Sequence, residues 1–197
     1  MPSDRRAEIV QAAIGLLEET GIDGLSLRAV AGRVGVRLNT VSWHVKTKAR
    51  LVELVADAIL EEITFDDLPS PWRDRTCELL RRYRAALLAH RDGARVVAGT
   101  FSAEPATLRY AEHLMDALLT GDLDERTAGW TGWTLIYFTL GLVQEEQGSP
   151  GPVADQVAGM LDPAGHPALR RALPHLADDR FDDRFEHGLR LILSGVT

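Results

Sequence analysis

Two short helical patterns joined by a glycine occupy residues 26–48. In the first pattern apolar residues recur at helical spacing, and Ser26 stands where an N-cap hydroxyl accepts a first-turn N–H. Gly35 follows this pattern, and glycine readily adopts the positive φ that ends a helix. The second pattern, residues 38–44, presents small hydrogen-bonding side chains. This order predicts a helix-turn-helix, whose second helix enters the major groove of DNA.

Basic residues surround this motif without acidic residues between them. Six lie between Gly24 and Val52: Arg28, Arg33, Arg37, Lys46, Lys48 and Arg50. Residues 1–50 carry a formal charge of +3 and the remainder −10, within a total of −7. This distribution predicts a local surface that faces DNA phosphates. The alternative interpretation is a surface pair of helices with solvated arginines.

Helical periodicity continues through the rest of the 197 residues, and no stretch alternates as a strand would. We therefore predict an all-α fold with an irregular loop at residues 148–165, where glycine and proline are frequent. The predicted helices cover residues 4–20, 49–63, 72–90, 104–119, 124–147, 167–176 and 179–195, and residues 94–99 form a short apolar segment.

Composition narrows the class of protein further. The single cysteine, Cys77, excludes an internal disulfide framework and a multi-cysteine zinc site. No apolar run approaches the roughly 18 residues of a membrane span, and the N-terminus leads into a helical pattern rather than a signal peptide. We expect a cytoplasmic protein that binds no metal ion or cofactor and does not associate with a membrane. No glycine-rich phosphate loop, Gly-x-Ser-x-Gly or His-Glu-x-x-His motif is present, so we do not expect an enzyme.

Two sets of motifs give the chain a family resemblance. Gly-Ile-Asp-Gly-Leu at 21–25 and Val-Ser-Trp-His-Val-Lys-Thr-Lys at 41–48 resemble the DNA-binding signature of the TetR family of transcriptional regulators. Residues 83–100, 138–147 and 185–195 resemble the body of its tetracycline-repressor branch. The resemblance covers nearly the whole chain.

The resemblance implies a division of the chain into three parts. Residues 1–48 would form a three-helix, helix-turn-helix DNA-binding domain, residues 49–65 a connecting helix, and residues 66–197 a helical domain for ligand binding and dimerisation. It also implies a homodimer, in which the long helix 124–147 and the final helix pair with their copies in a four-helix bundle.

The family's DNA contacts can be carried over by position. Arg28, Thr40, Trp43, His44 and Lys48 match them, whereas Leu38, Asn39 and Ser42 replace a glutamine, a proline and a tyrosine. Because asparagine can bond both polar atoms of an adenine edge, Asn39 could read adenine. Trp43 could instead pack against the preceding helices. The complete predicted set is Arg28, Arg37, Asn39, Thr40, Ser42, Trp43, His44, Lys46 and Lys48.

The ligand pocket departs further from the family pattern. Val97 stands where the tetracycline–magnesium site has a histidine, and Thr64 and Leu79 replace a second histidine and an asparagine. Without an imidazole ligand, the single carboxylate of Glu145 does not hold Mg²⁺ tightly, since this ion requires several oxygen ligands. We therefore expect a more apolar inducer. The predicted pocket residues are Thr64, Leu79, Tyr83, Val97, Thr100, Tyr110, His113, Leu114 and Glu145.

Some of these assignments have structural alternatives. His113 could be a surface or satisfied histidine, and Trp130, Trp133 and Tyr137 fit a core or a dimer interface better than a pocket. As a whole, the resemblance implies a repressor that a small molecule releases from a palindromic operator in double-stranded DNA. The alternative is a helical protein-interaction module without specific DNA binding.

Overall fold

A computed structural model describes residues 2–100, 103–149, 154–162, 164–176 and 180–196. These residues contain eleven helices and no strand, so the predicted all-α class is confirmed. None of the described helices is long and apolar enough to span a membrane. The helices are α1 Pro2–Gly24, α2 Leu27–Val34, α3 Leu38–Val45, α4 Lys48–Glu61, α5 Trp72–Leu88, α6 Gly93–Ala98, α7 Pro105–Leu119, α8 Glu125–Gly148, α9 Ala154–Met160, α10 Pro167–Leu176 and α11 Phe181–Ser194.

The helices α1, α2 and α3 share one small core at the N-terminal end. Ile9 and Leu17 of α1 are fully buried, as are Val30 of α2 and Val41 of α3. The helical backbone of α1 is interrupted at Gly21, where φ is 71° and ψ is 177°, so the predicted stop at Gly21 is confirmed, and residues 22–24 form a further turn beyond it. Glycine accepts this conformation without a steric penalty, which lets the chain change direction here.

The turn between α2 and α3 forms as its sequence predicts. The Ser26 hydroxyl accepts from the Ala29 amide at 3.2 Å. Gly35 adopts the left-handed conformation, with φ 73° and ψ 30°. The Val36 amide then donates to the Ala31 carbonyl at 3.0 Å, which satisfies one of the last carbonyls of α2. These local bonds fix the angle at which α3 leaves α2.

The helix α4 connects the N-terminal unit to a body built from α5, α6, α7, α8 and α11. Leu51, Val55 and Ile59 bury one face of α4, and Leu189 of α11 lies in the same continuous core. The rings of Phe138 and Phe185 lie 6.0 Å apart where α8 meets α11. The N-terminal unit therefore rests on the body through α4 and not through a loose linker.

The segment predicted as an irregular loop at 148–165 contains the helix α9. This part of the prediction was wrong because glycine and proline cluster at the ends of the segment, while the Ala-Asp-Gln-Val-Ala stretch inside it has no helix breaker. The next helix, α10, buries none of its residues in this protomer.

An aromatic stripe on α8, formed by Trp130, Trp133 and Tyr137, faces outward. The three residues are 62%, 46% and 59% exposed. The rings of Trp133 and Tyr137 stack with their centroids 5.4 Å apart. The core interpretation of this stripe is therefore wrong, and its place in a dimer interface stays a prediction.

Candidate DNA-binding surface and ligand site

The helix α3 separates into a buried and an accessible face. Val41 and Val45 are fully buried, whereas Asn39 is exposed and Thr40 and Ser42 are half-buried. Because residues three positions apart lie on the same face of a helix, Asn39 and Ser42 project together, with Thr40 beside them. This is the arrangement that a recognition helix needs in a major groove.

Trp43 lies on the accessible side of α3. It is 74% exposed, and its ring meets that of His44 edge-on with centroids 4.7 Å apart. The alternative that Trp43 packs against the preceding helices is therefore wrong. An exposed indole at the end of this helix is available to contact a nucleic acid backbone.

Four basic side chains surround α3 in an exposed position: Arg28, Arg37, Lys46 and Lys48. In the described part of the chain none of them pairs with a carboxylate. Two other basic residues near the motif form ion pairs. Arg33 pairs with Glu19 at 2.8 Å, and Arg50 pairs with Glu104 at 2.6 Å. The unopposed basic surface is thus smaller than the six residues that the sequence suggested.

A tight turn at Lys46 ends α3. Lys46 has φ 65° and ψ −58°, and the Thr47 amide donates to the Val45 carbonyl at 2.8 Å. This is a γ-turn of the uncommon, strained kind. Thr47 then caps α4 by accepting from the Arg50 amide at 3.0 Å. Lys48 follows, and its ammonium donates to the Ile22 carbonyl at 3.4 Å, so the backbone places both lysines beside the end of α3.

The turn between α5 and α6 holds the C-terminal end of α1. The Ile22 amide donates to the Asp92 carboxylate at 2.9 Å, and the Arg91 guanidinium donates to the Glu19 carbonyl at 2.8 Å. The His90 ring lies between Glu18, at 2.9 Å, and Glu62, at 3.1 Å. The kinked end of α1 is therefore bonded directly to the body.

The start of α7 makes a second connection to the N-terminal half. Asp57 on α4 accepts from the amide and the hydroxyl of Thr107, at 2.8 and 2.9 Å. Glu104 pairs with both Arg50 and Arg6, at 2.6 and 3.3 Å. These contacts join the start of α7, the helix that carries the predicted pocket residues Tyr110 and Leu114, to α1 and α4.

Four of the predicted pocket residues lie buried between α5 and α7: Leu79, Tyr83, Tyr110 and Leu114. The two tyrosine rings stack with centroids 4.9 Å apart, and the Tyr110 hydroxyl donates to the Leu79 carbonyl at 3.2 Å. Burial raises the pKa of both phenols, so they stay neutral at physiological pH. This part of the site is apolar and aromatic.

The remaining predicted pocket residues are more dispersed. The ring of His113 stacks on Phe65 with centroids 4.0 Å apart, and the Thr100 hydroxyl donates to the carbonyl of the buried Val97 at 2.9 Å. Thr64 and Glu145 are exposed in this protomer. Within the described ranges, no three His, Cys, Asp or Glu side chains gather as a metal site would require.

Two residues of this region were absent from the predicted set. Phe65 covers His113, and Arg75 lies one helical turn before Leu79 on α5, where its guanidinium approaches Asp116 of α7 at 3.2 Å. The four-residue spacing from Arg75 to Leu79 was readable in the sequence. The enclosure of its Nε and Nη2 atoms could not be read from the sequence, because it depends on how closely α7 packs.

An accessible recognition helix beside unopposed basic residues is the arrangement of a DNA-binding regulatory protein. Comparison with family models agrees with this class. Residues 9–55 match the model for bacterial regulatory proteins of the tetR family, and residues 66–197 match that for the tetracyclin repressor-like C-terminal domain. The chain belongs to the TetR family, as its motifs suggested.

Individual relatives extend the match over the whole chain. The tetracycline repressor protein class A from transposon 1721 of Escherichia coli is 33% identical over 191 residues, which cover 95% of this chain and 88% of that protein. A possible TetR family regulator from Streptomyces coelicolor A3(2) is 35% identical, with a TM-score of 0.85 and coverage of 96% and 97%. Streptomyces coelicolor ActR, solved with actinorhodin, is 30% identical, with a TM-score of 0.88 and coverage of 97% and 95%.

Proposed function

We propose that the protein is a homodimeric repressor that binds a palindromic operator and leaves it when a small molecule binds the helical body. Residues 1–48 form the DNA-binding domain, residues 49–65 the connection, and residues 66–197 the ligand-binding and dimerisation domain. The observation that carries the proposal is the polar face of α3 beside four exposed basic side chains with no carboxylate partner among the described residues. The proposal assigns no catalytic activity and places the protein in the cytoplasm.

The proposed DNA contacts divide into two kinds. Asn39, Thr40 and Ser42 on α3 read base edges, with Asn39 suited to adenine and Arg28 to guanine. Arg37, Trp43, His44, Lys46 and Lys48 hold the sugar-phosphate backbone, which sets register and affinity but not sequence. Leu38, which is 37% exposed at the start of α3, offers an apolar contact to a thymine methyl group. The operator therefore differs from one read by a glutamine at this position.

A homodimer follows from the aromatic stripe of α8. Exposed aromatic patches mark sites of association, and Leu191 on the neighbouring α11 is 65% exposed. Pairing both helices with their copies buries these side chains. It also presents two α3 helices to successive major grooves, about 34 to 36 Å apart.

The inducer binds more tightly to a conformation of the body in which the distance between the two α3 helices no longer matches the operator. The bonds from Asp92 to Ile22 and from Asp57 to Thr107 transmit such a change, since they join the body to the N-terminal half. Coupling of this kind is typically about 1 to 3 kcal/mol, and the inducer shifts the equilibrium by no more than its difference in affinity for the two states.

We predict that this chain does not bind a magnesium–tetracycline chelate. Its pocket is lined by the buried, apolar Val97 and Leu79 where a chelate needs imidazole or amide ligands. The similar ActR was solved with actinorhodin, and for this chain we propose an inducer more apolar than a magnesium–tetracycline chelate. Calorimetric titration of tetracycline with and without magnesium chloride checks this; magnesium-dependent heat with saturation would contradict it.

The proposed function is tested by fluorescence anisotropy with DNA that flanks the gene, at two salt concentrations. Wild type is expected to bind one fragment tightly over competitor DNA. Thr40→Ala removes a base contact and should relax specificity at one position, at a cost of about 1 to 3 kcal/mol. Lys48→Ala removes a phosphate contact and should lower the salt slope by about one.

The matched control is Arg73→Ala, which removes one positive charge from the exposed surface of the body. This variant should bind the operator as wild type does. Equal weakening by Arg73→Ala and Lys48→Ala would mean that net charge, and not the surface around α3, governs binding. If wild type and Thr40→Ala each bound every fragment with the same affinity, specific recognition would be contradicted.

A further inference from the structure

The guanidinium of Arg75 lies in the seam between α5 and α7 with most of its donors enclosed. Its Nη1 pairs with the Asp116 carboxylate at 3.2 Å. Its Nε and Nη2 are buried, and neither has a hydrogen-bond partner among the described residues. Buried polar groups are ordinarily hydrogen-bonded, and those without a partner require an explanation. A guanidinium cannot lose its charge to escape this cost, since it stays protonated in proteins.

The two donors form one edge of the guanidinium, which is the edge that grips a carboxylate with two parallel bonds. The same helix shows this use elsewhere. Arg81 donates from Nε and Nη2 to the two carboxylate oxygens of Glu186, at 2.6 and 2.8 Å. In Arg75 the same pair of donors is enclosed without a partner among the described residues, while Asp116, which is itself 61% exposed, takes only Nη1.

The position of Arg75 connects it to the aromatic part of the proposed ligand site. Arg75, Leu79 and Tyr83 follow one another at four-residue intervals along α5, and Tyr110 of α7 contacts the last two. Eight residues of helix cover about 12 Å. A ligand in the seam could therefore place an aromatic or apolar body near the tyrosine pair and an acidic group at Arg75.

We propose that Arg75 recognises the carboxylate of an acidic, otherwise apolar inducer through its Nε and Nη2 donors. This inference rests on the proposed function, in which the body binds a small molecule, and it names the chemical class of that molecule. A carboxylate supplies two acceptors in the geometry of the guanidinium edge that Asp116 leaves free. A neutral analogue such as an ester lacks the charge and binds more weakly.

Formate is the probe for this site because it is the smallest carboxylate and needs no other part of the pocket. In protein labelled with ¹⁵N-arginine, the Nε resonance of Arg75 is the one missing from the spectrum of Arg75→Lys. We expect this resonance to shift saturably with sodium formate and not with sodium chloride at equal ionic strength. If the formate and chloride titrations coincide, the site binds no carboxylate and the inference is wrong.

Thermal unfolding gives an independent readout that requires no ligand. Arg75→Met keeps the length of the side chain and removes donors that have no partner, so its Tm without ligand should equal or exceed that of wild type. Formate should raise the Tm of wild type and of Arg73→Met, a control with the same loss of charge on the same helix. It should not raise that of Arg75→Met. A clearly lower Tm of Arg75→Met would show that the guanidinium is already satisfied, which overturns the proposal.

An acid and its methyl ester test whether the site recognises a carboxylate. We expect 2-naphthoate to bind at least about tenfold more tightly than methyl 2-naphthoate, a ratio that Arg75→Met abolishes. Equal affinity of the acid and the ester for wild type would contradict recognition at Arg75. These outcomes are separate from the proposed function, because operator binding by the unliganded protein is measured without any acid and does not depend on Arg75.

Discussion

Replacing Trp130 and Tyr137 together by glutamate should convert the protein to monomers and lower its affinity for a palindromic operator by at least about a hundredfold. The two residues lie seven positions apart on α8, hence on one face, and both are more than half exposed in the single chain. Burying aromatic side chains dominates the energetics of such interfaces. Carboxylates in their place would face their own copies across the interface, where like charges repel.

The loss of DNA affinity follows from the loss of linkage between two binding units. A dimer binds its second half-site as an intramolecular event, which raises overall affinity by about 10² to 10⁴ over a single unit. Sedimentation velocity measures the oligomeric state, and anisotropy measures operator affinity. The matched control is Leu108→Glu, an exposed apolar residue of α7. If the double variant remains dimeric, α8 does not form the interface; if it is monomeric and binds the operator as tightly as wild type, two linked units are not required.

Gly93→Ala should destabilise the protein by about 3 kcal/mol, which is at the upper end of typical overpacking costs. A Cβ at this position would lie 2.1 Å from the Leu87 carbonyl oxygen, an approach that only a backbone shift could relieve. Gly93 also follows Asp92, which has φ 56° and holds the Ile22 amide of α1. A shift here therefore weakens the contact between the body and the DNA-binding unit as well.

The loss is measured as a change in the free energy of unfolding in urea, and as a fall in Tm of roughly 10 °C for a chain of this size. Gly99→Ala is the control from the other end of α6, because a Cβ there meets nothing within 4 Å and its φ is −96°. We expect Gly99→Ala to unfold close to wild type. Equal stability of both variants would show that the turn at Gly93 accommodates a side chain.

The local patterns of the sequence were sufficient for most of the fold. Ser26 and Gly35 fixed the two ends of α2 because an N-cap and a left-handed residue act through bonds to their immediate neighbours. The spacing of apolar residues located the long helices because a helix that packs on a core repeats its buried face every three or four residues. The prediction failed at 148–165, where glycine and proline at the edges concealed the helix α9.

The site was less predictable because its properties depend on contacts between distant segments. The pairing of Arg50 with Glu53 at 2.8 Å follows an i,i+3 spacing that the sequence shows, but its pairing with Glu104 at 2.6 Å depends on where the start of α7 packs. The exposure of Trp43 and the enclosure of Arg75 likewise follow from packing across helices. The resemblance supplied positions for the DNA and ligand contacts, and those assignments remain predictions until variants are measured.

The most direct test of the central claim is a DNase I footprint of the wild-type protein on DNA flanking its gene, with and without a releasing ligand. We predict one protected palindrome whose two half-sites lie about one helical turn, 34 to 36 Å, apart. Protection should disappear as the ligand is added. Protection spread evenly over all fragments, or none at any protein concentration on any fragment of the genome, would contradict a sequence-specific regulator.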